Sequence, residues 1–264
     1  VIRLLCTDLD RTLIPNGPAR EPKDARRHLA DYLTRHGIRL AYISGRDTGR
    51  VQEAIERWAL PVPDFMAADA GTTILRLEQG HWQPDEAWAA LQRERWGGRD
   101  GRAVHACLRG IDALIAQAGD RQHPFKRSYT VLKGTHLPQL QRLIEERTEA
   151  QGLDVAMLFS HDPLTDETLL DLVSPIATKR GAVAHLASAL GLETREVLFA
   201  GDSGNDLDAL TSEFPAVLVG NADAPTRILA RQSVATGRHA GRLYQASASY
   251  AAGILEGLVH YDER

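Results

Sequence analysis

The sequence has only two cysteines, Cys6 and Cys107. That is too few for a disulfide framework, and Cys6 lies inside an apolar stretch, so a reducing compartment, the cytoplasm, is expected. There is no apolar run of the roughly 18–20 residues that a membrane span requires. The start reads as a strand rather than as a charged segment followed by an apolar one, so no secretion leader is expected. A formal net charge of −4 gives no basic surplus, which argues against a surface built for nucleic acid. Internal repeats and low-complexity segments are absent too. What remains is an ordinary globular composition, 43% hydrophobic and 25% charged, in a chain of 264 residues. That length suits one large domain or two smaller ones, with ample material for a core.

The stretch that organises the rest is Ile2 to Leu13. Ile2, Leu4, Leu5 and Cys6 form a short apolar run, long enough for a buried parallel strand and too short for a stable helix. Two carboxylates follow at Asp8 and Asp10. A desolvated carboxylate needs a partner or a cation, and in an open α/β sheet the ligand crevice lies at the carboxyl ends of the strands. Alternation along an extended segment turns both acids the same way and Leu9 back into the fold. Two like charges that close repel each other. Mg²⁺, which prefers oxygen ligands, is the natural neutraliser. One acid can then act as nucleophile while the other moves a proton. On its own an Asp-x-Asp is more often an acidic loop, with Thr12 a plain turn residue; the rest of the chain reverses that balance.

A helix is expected over 21–36, a strand over 38–43 ending in Ser44-Gly45-Arg46, a helix over 47–58 and a strand over 65–69. A hairpin follows around Gln79-Gly80. The texture then changes. Residues 84–166 read as a small α/β domain of antiparallel character, with a helix over 105–118, a strand over 124–133 and a helix over 137–151. The parallel pattern is expected to resume at Thr168–Val173. It continues with a helix from Lys179, a strand over 196–200 ending in Gly201-Asp202-Ser203-Gly204-Asn205-Asp206, and a strand over 216–219. A helix from Ala224, a short strand near Val234-Ala235 and a last helix over 241–259 close the chain. The fold class is therefore α/β, a doubly wound, Rossmann-like and mostly parallel sheet from 1–83 and 167–264, with an inserted smaller α/β cap.

Four segments share one grammar, an apolar element that ends or begins at a reactive polar residue: Asp8/Asp10, Ser44, Lys179 and Asp202/Asp206. In a doubly wound sheet such ends converge. Ser44 and the backbone N–H groups after it suit phosphate oxygens at a helix start. A lysine at a helix N-terminus opposes the macrodipole, so Lys179 makes best sense beside carboxylates. Taken singly, Ser-Gly-Arg reads as a capping turn, Lys179 as an exposed helix-start lysine, and Asp202 or Ser203 as an N-cap. Together, an acid cluster, a phosphate-type turn and a lysine suit phosphoryl transfer.

On these residues the chain resembles the haloacid dehalogenase superfamily of phosphatases. Asp8-Leu9-Asp10-Arg11-Thr12 is similar to that family's first motif, Ser44 to its second, Lys179 to its third and Gly201–Asp206 to its fourth. The insertion between Ser44 and Lys179 resembles a large α/β cap, and Val219-Gly220-Asn221-Ala222 resembles the sucrose-phosphate and mannosylfructose-phosphate phosphatases. The resemblance implies Asp8 as nucleophile, forming an aspartyl-phosphate, and Asp10 as general acid and then base. It implies Thr12, Ser44, Gly45, Arg46, Lys179 and Asn205 at the phosphate or substrate. It implies Mg²⁺ held by Asp8, the Asp10 backbone carbonyl and Asp202, with Asp206 in support, and a sugar facing Gln122, Lys126 and Ser128 of the cap. For Lys126 a solvated strand lysine is an equal alternative. Arg11 stands where Gly or Asn is usual, and Arg180 where Gly is usual. The expected partner is a small sugar phosphate, with neither nucleic acid nor membrane, and association with a glycosyltransferase is a further expectation. The competing functions are a broad-range phosphatase for hexose phosphates or glucosylglycerol phosphate, a phosphate-transferring mutase, and a non-catalytic phosphosugar-binding module.

Overall fold

In the computed structural model, which describes residues 1–162, 165–236 and 242–262, the chain forms two compact units. The first comprises Val1–Asp85 and Thr178–Arg264, and the second Glu86–Ala177.

The first unit opens with β1 (Leu4–Thr7), whose residues are all buried. Then come α1 (Ala25–His36), β2 (Arg39–Ile43), α2 (Thr48–Arg57), β3 (Phe65–Ala68), β4 (Thr73–Glu78) and β5 (His81–Pro84). Gly37 closes α1 in the left-handed region at φ 63°, the conformation glycine takes without a steric penalty. The Asp47 carboxylate accepts from Arg50 N–H and so caps α2. The second unit holds α3 (Glu86–Arg95), α4 (Gly101–Leu108), β6 (Leu114–Ala116), β7 (Lys126–Val131), α5 (Leu137–Glu149), β8 (Ala156–Asp162) and β9 (Glu167–Val173). The chain returns to the first unit with α6 (Lys179–Ala189), β10 (Val197–Gly201), α7 (Leu207–Leu210), β11 (Ala216–Leu218), α8 (Ala224–Thr236), β12 (Leu243–Gln245) and α9 (Tyr250–Asp262).

The sheet of the first unit runs β12-β11-β10-β1-β2-β3-β4-β5. Its first six strands are parallel, and the β4–β5 hairpin is antiparallel at one edge. The strand order reverses at β1. One half of the sheet grows from β1 through β2 and β3, the other from β1 through β10 and β11, so the carboxyl ends of β1 and β10 flank the switch point. Thr7 pairs with Ala200 on one side and Tyr42 on the other. The register therefore brings Asp8, Gly201–Asp202 and Ser44 out at one level of the same edge. Beneath them Leu5, Leu9, Tyr42, Met66, Leu198 and Val217 belong to one buried core.

The second unit is a four-stranded antiparallel sheet, β6-β7-β9-β8, with its own core around Trp96, Phe125, Tyr129, Ile144 and Leu170. Four expectations need correction. Thr168–Val173 does not rejoin the parallel sheet; it pairs antiparallel with β7 and β8 inside the second unit. Its apolar run mimics a buried parallel strand because Leu170 and Leu172 face this unit's own core. Leu114–Ala116 is an edge strand and not the end of a helix, since α4 stops at Leu108 and Gly110 takes φ 78°. Val234–Ala235 lies within α8, and the last strand is Leu243–Gln245. The last helix starts at Tyr250, and Gly241, its expected start, lies outside the described residues.

Gly257 in α9 gives a test of packing against propensity. A Cβ built there would sit 2.1 Å from Val217 Cγ2 of β11. Helix propensity alone favours Ala over Gly by about 1 kcal/mol, whereas overpacking a filled site costs about 1–3 kcal/mol. Gly257→Ala is expected to lower stability in urea denaturation; a rise would show that β11 and α9 can separate freely.

Candidate active site

Three carboxylates meet at the switch point. Asp8, Asp202 and Asp206 are all buried, and each offers an oxygen within 4.8 Å of the others. Each arrives for a local reason. Asp8 leaves β1, its N–H donating to Ala200 O at 2.9 Å. Asp202 leaves β10. Asp206 closes a 3-10 turn over Gly204–Asp206, where its Oδ2 accepts from the backbone N–H of Asp202 and Ser203, both at 3.0 Å. Gly201 makes this possible, because a Cβ there would lie 2.7 Å from the Asp206 side chain.

Lys179 joins the cluster. Its Nζ lies 2.7 Å from Asp8 Oδ1 and 2.5 Å from Asp206 Oδ1. The lysine opens α6, whose N-cap is Thr178, with Oγ1 accepting from Gly181 N–H at 3.0 Å. Burial works against the ammonium, but Asp8 and Asp206 outweigh it and hold it protonated well above its usual range. On Asp8 burial dominates. Assisted by Asp206 and Asp202 and opposed by Lys179, it pushes the carboxyl up to about 7. Asp202 is likewise pushed up to about 6 by burial, against the pull of Arg11.

Thr12 bridges two of the acids, with Oγ1 3.2 Å from Asp202 Oδ1 and 3.4 Å from Asp8 Oδ2. Ser44 is buried just past β2, with its N–H on Ala67 O and its Oγ accepting from Arg46 N–H. Gly45 is exposed and faces open space. Asp10 takes different partners from Asp8. The Arg46 guanidinium grips it with two donors, Nε to Oδ2 at 2.8 Å and Nη2 to Oδ1 at 2.6 Å, and Asn16 Nδ2 donates to Oδ1 at 2.7 Å. Burial pushes the Asp10 carboxyl up, but the hydrogen bonds and charge of Arg46 outweigh it and hold the group below the usual carboxylate range. Asn205 is exposed, its Oδ1 accepting from Ser203 Oγ.

Two departures from the family pattern resolve differently. Arg180 turns to the surface and pairs with Glu213. Arg11 adopts φ 58°, a left-handed conformation that costs a non-glycine residue roughly 1–2 kcal/mol. Its N–H donates to Asn16 Oδ1, its carbonyl accepts from Asn221 Nδ2, and its Nε lies 3.2 Å from Asp202 Oδ2. Asn16 was not legible as a site residue. Its only signal is its place in the Pro15-Asn16-Gly17 turn beyond the acids.

Gln122, Lys126 and Ser128 lie in the second unit and form one cluster there. Ser128 sits opposite Asp171 in the β7–β9 register, its Oγ 2.5 Å from Asp171 Oδ1, and Lys126, two residues earlier on the same face, pairs with Asp171 at 3.3 Å. Gln122 fastens the preceding loop to the Ser128 backbone at both N–H and C=O. Lys126 is buried and paired rather than solvated.

The family model of sucrose-6F-phosphate phosphohydrolase matches residues 2–262. The chain belongs to this family. A HAD-like hydrolase of Nitrosococcus oceani is 36% identical over 98% of the chain and 71% of its own length. Mannosylfructose-phosphate phosphatase of Agrobacterium fabrum is 28% identical, with 98% of the chain and 97% of that protein covered. Glucosylglycerol-phosphate synthase of Pseudomonas anguilliseptica is 29% identical over 98% of the chain, which spans 30% of that longer protein. The Synechocystis sucrose-phosphatase, solved with sucrose and phosphate, matches with a TM-score of 0.75 at 29% identity over 99% of each chain. This member of the sucrose-6F-phosphate phosphohydrolase family is thus a phosphatase of the haloacid dehalogenase superfamily, and the Asp-x-Asp, Ser44, Lys179 and Gly201–Asp206 segments expected to match that superfamily are the ones gathered at the switch point. No helix among the described residues is long and apolar enough to cross a membrane.

The donor set fits a hard divalent cation. Three buried carboxylates face one buried ammonium and one half-exposed guanidinium, an imbalance that oxygen-seeking Mg²⁺ would correct. A pH test follows. Asp8 is raised from 3.8 to about 7 in the folded chain, so between those values the native state binds the extra proton and stability increases as pH falls. Cation-free protein is therefore expected to melt at a higher temperature at about pH 5.5 than at about pH 8, on either side of the raised Asp8 value of about 7. In Asp8→Asn that difference should shrink. An equal pH difference in both proteins would rule Asp8 out as its source.

Proposed function

We propose that this phosphatase hydrolyses a phosphorylated disaccharide or glycoside, such as sucrose 6-phosphate or mannosylfructose phosphate, with Mg²⁺ and through an aspartyl-phosphate on Asp8. The observation that carries the reading is the buried triad of Asp8, Asp202 and Asp206 tied to Lys179. An Asp8 oxygen attacks phosphorus and the bond to the sugar oxygen breaks, while Asp10 gives that oxygen its proton. Asp10, now a carboxylate, takes a proton from water, which attacks the phosphorus and frees Asp8 and inorganic phosphate. Lys179, Ser44, Thr12 and the backbone N–H of Gly45 hold phosphoryl oxygens, with Asn205 at the rim. A divalent cation held by Asp8 and Asp202, with Asp206 in support, would neutralise charge on the phosphoryl group.

The grip of Arg46 and Asn16 on Asp10 bears on the order of these events. Both oxygens of Asp10 accept hydrogen bonds from nitrogen donors, an arrangement suited to the carboxylate form and so to water activation. Acting as an acid requires the guanidinium fork to open. In the second unit, read as the cap that selects substrate, Lys126 and Ser128 are the sugar-facing donors and Asp171 orients them. The glucosylglycerol-phosphate synthase relative favours a second reading, glucosylglycerol phosphate as substrate and a glycosyltransferase as working partner, in the cytoplasm.

Phosphate release with Mg²⁺ over sucrose, mannosylfructose, glucosylglycerol, trehalose and hexose phosphates tests substrate choice. One of the glycoside phosphates should lead clearly, and a flat profile would indicate a broad-range enzyme. Asp8→Asn and chelator should each abolish turnover; an isomerised sugar phosphate in place of free phosphate would indicate a mutase. Asp10→Asn should lose about 10²–10⁴-fold on a sugar phosphate and far less on an aryl phosphate, whose leaving group needs no proton. Equal losses on both would remove Asp10 from the leaving-group step.

A further inference from the structure

Arg11 combines three features. It occupies a left-handed backbone position, φ 58°, that glycine or asparagine fills more easily. That position is pinned at both peptide groups, by Asn16 Oδ1 at 2.8 Å and Asn221 Nδ2 at 2.6 Å. From it the side chain, 47% exposed, reaches Asp202, which is 3% exposed, at 3.2 Å. The loop is stapled further, since Tyr250 N–H donates to Asn221 and Tyr250 OH to Ala19 O. The backbone thus fixes the origin of the guanidinium, while its outer half remains in water.

We propose that Arg11 is a tethered counter-cation that competes with the divalent ion for Asp202. This rests on the reading of Asp8, Asp202 and Asp206 as the cation-holding set. Lys179 is in direct contact with Asp8 and Asp206, and Arg11 is the cation that pairs directly with Asp202 among the described residues. A divalent ion approaching Asp202 meets a resident positive charge and must displace it or tolerate it. The exposed position of the guanidinium lets it swing into solvent without leaving a buried charge unpaired. Arg11 therefore sets the concentration at which the site fills, keeping the acid cluster compact at low Mg²⁺.

Calorimetric titration of Mg²⁺ into cation-free protein tests this on the wild type, Arg11→Asn and Arg11→Met. Asparagine removes the charge and suits the left-handed backbone; methionine removes the charge and keeps the backbone strain. Both variants are expected to bind Mg²⁺ about tenfold more tightly, the scale of one partly screened charge a few ångströms away. Both should also show a larger rise in melting temperature on adding Mg²⁺. Unchanged or weaker binding in both variants overturns the proposal, as does tightening in Arg11→Asn alone, which would trace the effect to backbone relief. Binding in the variants with none in the wild type supports it. Absence of binding in all three would remove the cation-holding reading itself and this proposal with it.

Discussion

The site depends on one electrostatic constraint, three carboxylates buried at the point where a parallel sheet reverses its strand order. Buried acids repel, and burial alone drives them toward their neutral forms. Lys179 holds two of them by direct contact and Arg11 holds the third from the solvent side. Much of the surrounding local structure follows from this arrangement. Gly201 leaves room for Asp206, the 3-10 turn satisfies one Asp206 oxygen, and Thr12 bridges the two acids at the strand ends.

The same constraint separates the two members of the Asp-x-Asp pair. Asp8 is enclosed and raised; Asp10 is half-exposed, forked by Arg46 and lowered. Two residues of one type, two positions apart in the chain, thereby acquire opposite shifts in proton affinity. That division is the reverse of what the proposed roles require, an ionised nucleophile at Asp8 and a protonated acid at Asp10, so those roles depend on a cation that would draw Asp8 back to its carboxylate form and on the release of Asp10 from Arg46.

Much of this was legible in the sequence, because the parallel sheet writes its strands as short apolar runs and its chemistry at their ends. Asp8, Ser44, Lys179, Asp202 and Asp206 announced themselves that way. What was not legible depended on partners distant in sequence. Thr168–Val173 has the composition of a buried parallel strand, and only its neighbours β7 and β8 decide its sheet. The pairing of Arg46 with Asp10 and of Arg11 with Asp202 requires side-chain direction, which spacing does not encode. Lys126 read equally well as a solvated lysine, since the signal for its burial is Asp171 on another strand.

The first unit is assembled from two stretches of chain on either side of a continuous insert. Its central strand β1 borders β2, made soon afterwards, and β10, made only after the whole insert. On a growing polypeptide the edge of β1 that receives β10 therefore stays open while the insert, whose strands pair with one another among the described residues, is synthesised. The carboxylate–lysine cluster is complete only when the segment from Lys179 to Asp206 arrives. A chain cut short before that point retains β1 with an unpaired flank and no lysine beside Asp8, a form prone to edge-to-edge association.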